Sequence, residues 1–392
     1  MLVKERVRSL NRRRFESEEV EPAHPLRWRQ RVLTVRVLSG HDWLVASGLV
    51  AQHDTVTCKS KFEVDLRPIL EVRELCVAYG ARGGGVWRAL SGVSFGVGAG
   101  EILAVLGESG SGKTTLAGSL LRLLPRNARI TGGEILLDGA DVVRMSGVDL
   151  RRVRGSGISI VFQEPSLALH PTIRVGEQIG EVLRAHGTWS RRERVEGTRK
   201  MLAKVFSGDV ERIYSSYPHE LSGGQQQRVL IAQAIACEPA LVVADEPTAS
   251  LDTTTQREIL TLFKRLRDEL GIAFIFITHN PGLLAGFADR VLVLYAGKVA
   301  EVGPTHEVLR SPQHPYTQAL LKCVPPVDSD GAAGRKSLLP VIGGVPPSLA
   351  APSQGCVFEP RCQDRMETCQ VCEPAAAVLG GGHEVACLKF PA

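Results

Sequence analysis

The chain has no run of about 18 consecutive apolar residues, which a membrane-spanning helix would require. The stretch that comes nearest, residues 33–51, is interrupted by Arg36, His41 and Asp42. The N-terminus is rich in arginine but has no apolar segment after it, so no secretory signal peptide is predicted. The pattern therefore does not predict a chain that enters or crosses a membrane.

The sequence also has little excess charge, since 47 Lys and Arg against 42 Asp and Glu leave +5 over 392 residues. This mild excess does not predict nucleic-acid binding, although it suits an anionic ligand or an anionic membrane surface. Nine cysteines without a signal peptide favour a reducing compartment, where cysteines bind metals or pack as thiols. A chain of this length is expected to contain two or three domains.

Composition divides the chain into three predicted regions, residues 1–66, 67–321 and 322–392. The first begins with a basic block, RVRSLNRRR, followed by the acidic ESEEVE, and it shows no sustained helix or strand period. Three interpretations of it remain open: a disordered basic arm, a membrane-surface anchor, or a translation start placed too early. The last region is rich in Pro, Gly and Ala before a cluster of cysteines, which predicts a linker and a small extension.

Short apolar runs alternate with longer helical stretches in the middle region, a pattern typical of an α/β fold with parallel strands. Each run is aliphatic or β-branched, and a polar or glycine-containing loop follows it. Strands buried on both faces have this composition, because helices cover each side of a parallel sheet. The predicted core strands are residues 102–106, 158–162, 241–244, 273–277 and 291–295.

The segment GESGSGKT, residues 107–114, fits the phosphate-loop pattern G-x-x-x-x-G-K-[ST] and lies between a predicted strand and a predicted helix. Its glycines let backbone N–H groups approach phosphate oxygens, and the positive end of the helix dipole adds to the attraction. Lys113 is predicted to reach the β- and γ-phosphates of ATP, and the Thr114 hydroxyl to bind Mg²⁺. The residues predicted to surround the phosphates are Gly107, Ser109, Gly110, Ser111, Gly112, Lys113, Thr114 and Thr115.

A second motif, LVVADEP, ends a predicted strand with two carboxylates. Ligands bind in open α/β sheets at the carboxyl ends of the strands. Asp245 is predicted to hold Mg²⁺, directly or through water. Glu246 is predicted to polarise the attacking water as a general base, a role worth roughly 10²–10⁴-fold in rate. A solvated acidic turn would look the same in isolation, but the phosphate loop favours the catalytic interpretation.

The run LSGGQQQR at residues 221–228, together with Gln163, His279 and the order of all these motifs, resembles the ABC-type ATPases across the middle region. The resemblance implies a RecA-like core with a parallel sheet, an antiparallel β subdomain and a helical subdomain. It also implies that Tyr79 stacks on adenine, that Gln163 contacts Mg²⁺, and that His279 bonds the γ-phosphate. Asn280 stands where the family usually has aspartate, and we expect its amide to cap the next turn.

The same resemblance implies that each nucleotide site needs two chains. One chain contains one phosphate loop and one signature loop, and in this family the signature touches the γ-phosphate held by the opposite protomer. Asp252, in ASLD, matches the aspartate at the seam of the dimer. Two chains, identical or related, are therefore expected to pair head-to-tail. The residues that match the signature loop are Ser222, Gly223, Gly224 and Gln225.

Three further runs narrow the resemblance to the ATPases of oligopeptide and dipeptide importers, specifically the first, or "D", ATPase of such systems. They are VFQEPSLALHPTIRVGEQIGEVLRAHG, HPYTQALL and the ending GVPPSL…GCVFEPRC…GHEVAC. The resemblance implies a peripheral subunit on the cytoplasmic face of the inner membrane. Its expected partners are a second ATPase chain, two transmembrane permeases and an extracytoplasmic substrate-binding protein, without nucleic acid.

Other ABC classes remain as alternatives. ATPases of DNA repair or translation generally carry two cassettes or long coiled-coil insertions, and this chain has neither. The accessory ATPase of phosphonate metabolism is closely similar but lacks the cysteine-rich ending. Nickel importers share much of the pattern, so the transported substrate stays open between peptides and nickel.

Five of the nine cysteines lie in the last 37 residues. Their spacing is compatible with a metal site or with reduced thiols in a loop, and only Cys369 and Cys372 form the C-x₂-C pair common in zinc sites. The resemblance to oligopeptide importers implies a structural [4Fe–4S] cluster in this extension. Its expected ligands are Cys356, Cys362, Cys369 and Cys387. Cys372 is then a spare thiol, and His383 is expected to be a loop residue.

Overall fold

The computed structural model describes residues 68–80, 85–324, 341–347 and 354–391. The interpretations of residues 1–66 lie outside the described residues, and so does much of the predicted linker. The described residues belong to one compact unit, Arg67–Ala392. None of its described helices is both long enough and apolar enough to span a membrane.

Twelve strands in the described residues form two sheets. In chain order they are β1 (Leu70–Gly80), β2 (Val86–Val97), β3 (Ile102–Leu106), β4 (Ala128–Leu137), β5 (Ala140–Asp141), β6 (Ile158–Val161), β7 (Leu241–Asp245), β8 (Ala273–Thr278), β9 (Arg290–Tyr295), β10 (Lys298–Pro304), β11 (Ala377–Gly380) and β12 (His383–Val385). The large sheet has the order β11-β12-β10-β9-β3-β8-β7-β6, and the small one β2-β1-β4-β5.

Ten α-helices connect and cover these strands in the described part of the chain. They are α1 (Lys113–Leu120), α2 (Gly147–Ser156), α3 (Pro165–Ala168), α4 (Val175–His186), α5 (Arg191–Val205), α6 (Val210–Ser215), α7 (Gly223–Ala234), α8 (Thr253–Leu270), α9 (Thr305–Arg310) and α10 (Pro315–Lys322). Short 3₁₀ turns also occur, including Glu359–Arg361 in the extension.

The five strands predicted from apolar runs are confirmed, and they are neighbours in the large sheet. β6, β7, β8, β3 and β9 pair in parallel. All residues of β3, β7 and β8 are buried, as expected for strands covered on both faces. β7 extends one residue beyond the prediction, so Asp245 is the last residue of the strand and lies at its carboxyl end.

Alternate residues of β3 face opposite layers of the core, because successive side chains of a strand point to opposite faces. Ile102, Ala104 and Leu106 pack in the cluster that contains the helical layer. Leu103 and Val105 pack in the second cluster, with α1 and the small sheet. The loop that follows β3 therefore starts from a strand held firmly on both sides.

The small sheet is antiparallel throughout, as the predicted β subdomain requires. Between Gln163 and Leu221 the chain forms α3 to α6, which is the predicted helical subdomain. The apolar side of α4 is buried at Val175, Ile179 and Leu183, residues spaced by four along one helix face. The predicted α/β fold with these subdomains is therefore confirmed.

The C-terminal extension continues the large sheet, since β12 pairs with β10 and β11 pairs with β12. His383 is wrongly predicted as a loop residue: it lies in β12 and is buried. Its Nε2 lies 2.8 Å from Oε1 of the fully buried Glu301, and its Nδ1 lies 3.3 Å from Oε2 of Glu307. A buried carboxylate needs such a partner, and the sequence pattern does not reveal that pairing.

Candidate functional site

The phosphate loop is shaped by glycines at positions where other residues would be strained. Gly110 has φ 81° and Gly112 has φ 107°, in the left-handed region that favours glycine. A Cβ atom on Gly107 would lie 2.3 Å from the carbonyl oxygen of Leu294, so a side chain does not fit there. The loop leads directly from β3 into α1, whose N-terminal N–H groups are free to bind an anion.

Lys113 lies inside the phosphate loop. Its ammonium donates to the carbonyl oxygens of Gly107, at 2.8 Å, and Glu108, at 2.9 Å. Burial lowers the pKa of Lys113, while the nearby carboxylates of Glu246 and Asp245 raise it in part. A buried cation of this kind gains from an anionic ligand, and phosphate oxygens can replace the loop carbonyls as its acceptors.

Asp245 carries an unused ligand atom beside the loop. Its side chain is 5% exposed, and its Oδ1 is buried without a hydrogen-bond partner. Burial raises the pKa of Asp245, while a hydrogen bond with Thr114 lowers it. A carboxylate oxygen next to a threonine hydroxyl provides the hard oxygen ligands that Mg²⁺ prefers, with water completing the octahedron. These residues therefore fit a magnesium ion.

Glu246, His279 and Gln163 meet at one carboxylate oxygen. Oε2 of Glu246 lies 3.1 Å from Nδ1 of His279 and accepts a hydrogen bond of 3.4 Å from Nε2 of Gln163. Glu246 has φ 45°, which is uncommon for a residue with a side chain and is often found at functional sites. The structure thus brings together three residues from three separate loops, the same three that the sequence predicts to be catalytic.

Tyr79 lies at the end of β1, and its hydroxyl is 3.1 Å from Oγ1 of Thr115 in α1. This contact places the ring beside the helix that begins at the phosphate loop. Of the other predicted loop residues, Ser109, Gly110 and Thr114 are exposed, whereas Ser111 is buried and its Oγ has no hydrogen-bond partner.

The signature residues and Asp252 lie at the starts of two adjacent helices. Ser222 and Gln225 form a capping box at α7, in which the Ser222 Oγ accepts from Gln225 N at 3.3 Å. Asp252 caps α8, and its Oδ1 accepts from the N–H groups of Thr254 and Thr255 at 3.0 Å. These hydrogen bonds lower the pKa of Asp252, with the Thr255 hydroxyl contributing most.

These two helix starts present an exposed surface. Ser222, Gly223 and Asp252 are exposed, while Gly224 packs so closely on Thr255 that a Cβ there would lie 2.7 Å from its methyl group. The hydrogen bonds formed by the Ser222 and Asp252 side chains stay within their own turns. The surface is thus formed by one chain and is free to contact a second one.

The four cysteines predicted as ligands line one small pocket, together with His314 and Phe358. The space left between them is about 10 Å³, room for about one water molecule. Cys372 is exposed and does not line this pocket. The pocket cysteines are Cys356, Cys362, Cys369 and Cys387.

Burial raises the pKa of Cys356, Cys362 and Cys387. These thiols therefore keep their protons at neutral pH unless a metal ion binds the sulfur and displaces the proton. Within the described ranges there is no group of three or more His, Cys, Asp or Glu residues arranged to hold a metal ion. Ligation of iron by these cysteines is thus a proposal and is treated as one below.

Two residues from the C-terminal side of the chain, to which the sequence motifs assign no role, contact the phosphate loop. The Arg361 guanidinium makes a two-point ion pair with Glu108, at 2.7 and 3.1 Å. The Tyr316 hydroxyl accepts from Glu108 N at 2.9 Å. Glu108 occupies a variable position of the phosphate-loop pattern, so the pattern carries no signal for these contacts.

Comparison with known proteins agrees with this geometry. A family model described as ABC transporter matches residues 90–249. The dimeric structure of MJ0796, a bacterial ABC transporter cassette, superposes with a TM-score of 0.54 at 30% identity, covering 60% of this chain and 98% of that one. The fold and the nucleotide site define an ABC-type ATPase, an enzyme that hydrolyses ATP.

Relatives of known description narrow the family further. A model described as oligopeptide/dipeptide transporter, C-terminal region, matches residues 300–369. A probable peptide ABC transporter ATP-binding protein of Sinorhizobium fredii is 44% identical over 82% of this chain and 95% of its own length. The dipeptide transport ATP-binding protein DppD of Bacillus subtilis is 42% identical over the same shares, and OppD of Salmonella typhimurium 42% over 82% and 93%. The chain belongs to the ATP-binding proteins of the oligopeptide and dipeptide ABC transporter family, as its motifs predicted.

Proposed function

We propose that this chain hydrolyses ATP to power the import of dipeptides or oligopeptides. The observation that carries the proposal is the two-part match, of the cassette at residues 90–249 and of the oligopeptide-transporter C-terminal region at residues 300–369. Relatives described as dipeptide and oligopeptide transport ATP-binding proteins align over more than nine tenths of their own length. The similarity is therefore not confined to the part that all ABC ATPases share.

In the nucleotide site we assign ATP binding to the phosphate loop, with the adenine stacked on Tyr79. Lys113 exchanges its two loop carbonyls for phosphate oxygens and thereby neutralises negative charge on them. Thr114, Asp245 and Gln163 are the residues that would hold Mg²⁺, and the unpartnered Oδ1 of Asp245 supports this assignment. When bound, Mg²⁺ would offset part of the negative charge of the phosphates.

Hydrolysis is assigned to the group around Glu246. The Glu246 carboxylate accepts a proton from the attacking water, while the hydrogen bond from Gln163 holds it in place. His279, which contacts Glu246 in the nucleotide-free site, donates its one ring N–H to the γ-phosphate instead when ATP is bound. The reaction needs positioning and charge stabilisation more than covalent chemistry, and these fixed side chains supply it.

We further propose that two ATPase chains complete each site, one supplying the phosphate loop and the other Ser222, Gly223, Gly224 and Gln225. The exposure of the signature loop and of Asp252 supports this arrangement. The second chain is another copy or a related ATPase. Two permease subunits and an extracytoplasmic binding protein complete the importer, and this chain sits peripherally on the cytoplasmic face of the membrane.

The cysteine pocket is proposed to hold a structural [4Fe–4S] cluster. Four thiols line one pocket, which is the ligand number that such a cluster takes. The space between them, about 10 Å³, is too small for the cluster, so the proposal requires the cysteine loops to move apart when it binds. The exposure of Cys372 favours Cys369 as the third ligand. The described part of the extension contains two short strands, and a metal centre would stabilise so small a unit.

The proposal is tested by peptide uptake. The chain is produced together with the permeases and binding protein encoded beside it, in a host deleted for its own peptide importers, and uptake of a labelled dipeptide and tetrapeptide is measured. The Glu246→Gln variant is the inactive control. Peptide uptake that depends on Glu246 supports the proposal. Uptake of nickel ions without peptide uptake, or growth on phosphonates alone, would overturn it.

A further inference from the structure

Glu108, the second residue of the phosphate loop, is held at all three of its polar groups. Its N–H donates to the Tyr316 hydroxyl at 2.9 Å, and its carbonyl accepts from Lys113 at 2.9 Å. Its carboxylate receives the two N–H groups of Arg361 at 2.7 and 3.1 Å. Two of these three partners lie more than 200 residues away along the chain, outside the nucleotide motifs.

Arg361 is built into the protein rather than lying on its surface. Its side chain is 3% exposed, and the Tyr295 ring lies beneath its guanidinium, 5.8 Å from the centre. Its remaining hydrogen bonds run to the Tyr295 hydroxyl at 3.2 Å and to the carbonyls of Gly343 at 2.9 Å and Ile342 at 3.3 Å. A guanidinium has five N–H donors, and these contacts together with the two to Glu108 make five.

We infer that Arg361 is a positioning residue for ATP binding, acting through Glu108 on the phosphate loop. The fork fixes the direction of the Glu108 side chain, and with it the conformation of the phosphate loop from which Lys113 reaches the phosphates. Arg361 also neutralises a carboxylate on the loop that must accept the anionic triphosphate. The inference rests on the nucleotide site proposed above.

The position of Arg361 links the phosphate loop to the cysteine pocket. It ends the 3₁₀ turn Glu359–Arg361, between Cys356 and Cys362, which both line the pocket. The extension therefore reaches the nucleotide site through one side chain, and the C-terminal region contributes to ATP affinity.

The test compares Arg361→Gln and Glu108→Gln, singly and together, with wild-type protein. The dissociation constant for MgATP and the Michaelis constant should rise about tenfold in Arg361→Gln, since a two-point charge-assisted contact is lost. The kcat at saturating ATP should stay within about twofold of the wild-type value, because neither residue contacts Glu246 or the residues around it. The two single effects should not multiply in the double variant, because they remove the same contact.

The matched control is Arg365→Gln, which removes an exposed arginine of the same segment whose nearest carboxylate, on Glu359, is 3.8 Å away. If Arg361→Gln does not fold, Arg361→Lys takes its place, because lysine keeps the charge but loses the planar fork. Unchanged MgATP affinity in a folded Arg361 variant, or fully multiplicative effects, would overturn the inference. If the wild-type chain itself does not bind MgATP, the proposed nucleotide site is overturned instead.

Discussion

Replacing Glu246 with glutamine tests the assignment of the general base most directly. Glutamine has nearly the same size and shape, and its amide can still accept from His279 or Gln163, which contact the carboxylate at 3.1 and 3.4 Å. The backbone at φ 45° places the same demand on both residues. The substitution therefore removes the ability to take a proton while the geometry of the site is kept.

The size of the effect follows from the role assigned. Loss of general-base catalysis lowers kcat by roughly 10²–10⁴-fold, which corresponds to about 3–5 kcal/mol in the activation free energy. MgATP affinity should stay close to that of the wild type, because Lys113, Asp245 and Thr114 are unchanged. The variant is therefore expected to bind ATP and to accumulate in the ATP-bound dimer.

The assay combines phosphate release with size-exclusion chromatography in MgATP. Asp268→Asn is the matched control, since it makes the same kind of change on the exposed surface of α8, where Asp268 pairs with its neighbour Arg267. A Glu246→Gln variant that still hydrolyses ATP within about tenfold of the wild-type rate would refute the assignment. Loss of ATP binding would show that the residue acts in binding instead.

Three further predictions concern other parts of the molecule. Tyr79→Ala should raise the Michaelis constant for ATP about 5- to 150-fold, because the stacking of adenine on the ring is lost. Tyr79→Phe keeps the ring and loses the hydroxyl contact with Thr115, so it should change the constant little; steady-state kinetics measures both. Cys369→Ser should abolish iron and acid-labile sulfide in anaerobically purified protein, and Cys372→Ser should not; loss in both variants, or zinc alone, would contradict the assignment. Burial lowers the pKa of His314 to about 4 from 6.5, so the unfolded chain binds a proton first as the pH falls. The contribution of His314 to the unfolding free energy is therefore present above about pH 6.5 and should fall by about 2 kcal/mol from pH 7 to about pH 5. Urea unfolding measures it, with a smaller fall expected in His314→Gln.

Much of the fold and of the nucleotide site can be predicted because their signals are local. Apolar runs identify the five central strands, since burial on both faces requires an apolar side chain at nearly every position. The phosphate loop is recognisable because its glycines meet backbone demands set within a few residues. Asn280 behaves as predicted for the same reason: its Oδ1 accepts from Gly282 N at 3.0 Å and caps the next turn.

Contacts between distant segments could not be predicted in the same way. The hydrogen bond from Glu108 to Tyr316 and the ion pair with Arg361 join residues 208 and 253 positions apart. The partner of His383 is Glu301, on a neighbouring strand that the apolar pattern did not identify. Such pairings depend on which strands and loops become neighbours, and one sequence contains no periodic signal for that.

The sequence by itself determined the class of this protein, because the motifs that mark an ABC-type ATPase are short segments with their own backbone requirements. It also identified the residues that form the five central strands of the large sheet. Only the tertiary structure decided that Cys369 lines the pocket while Cys372 is exposed, and that the C-terminal extension reaches the phosphate loop through Arg361. Those features depend on distances between remote residues, which are set when the buried surfaces of the whole cassette pack together.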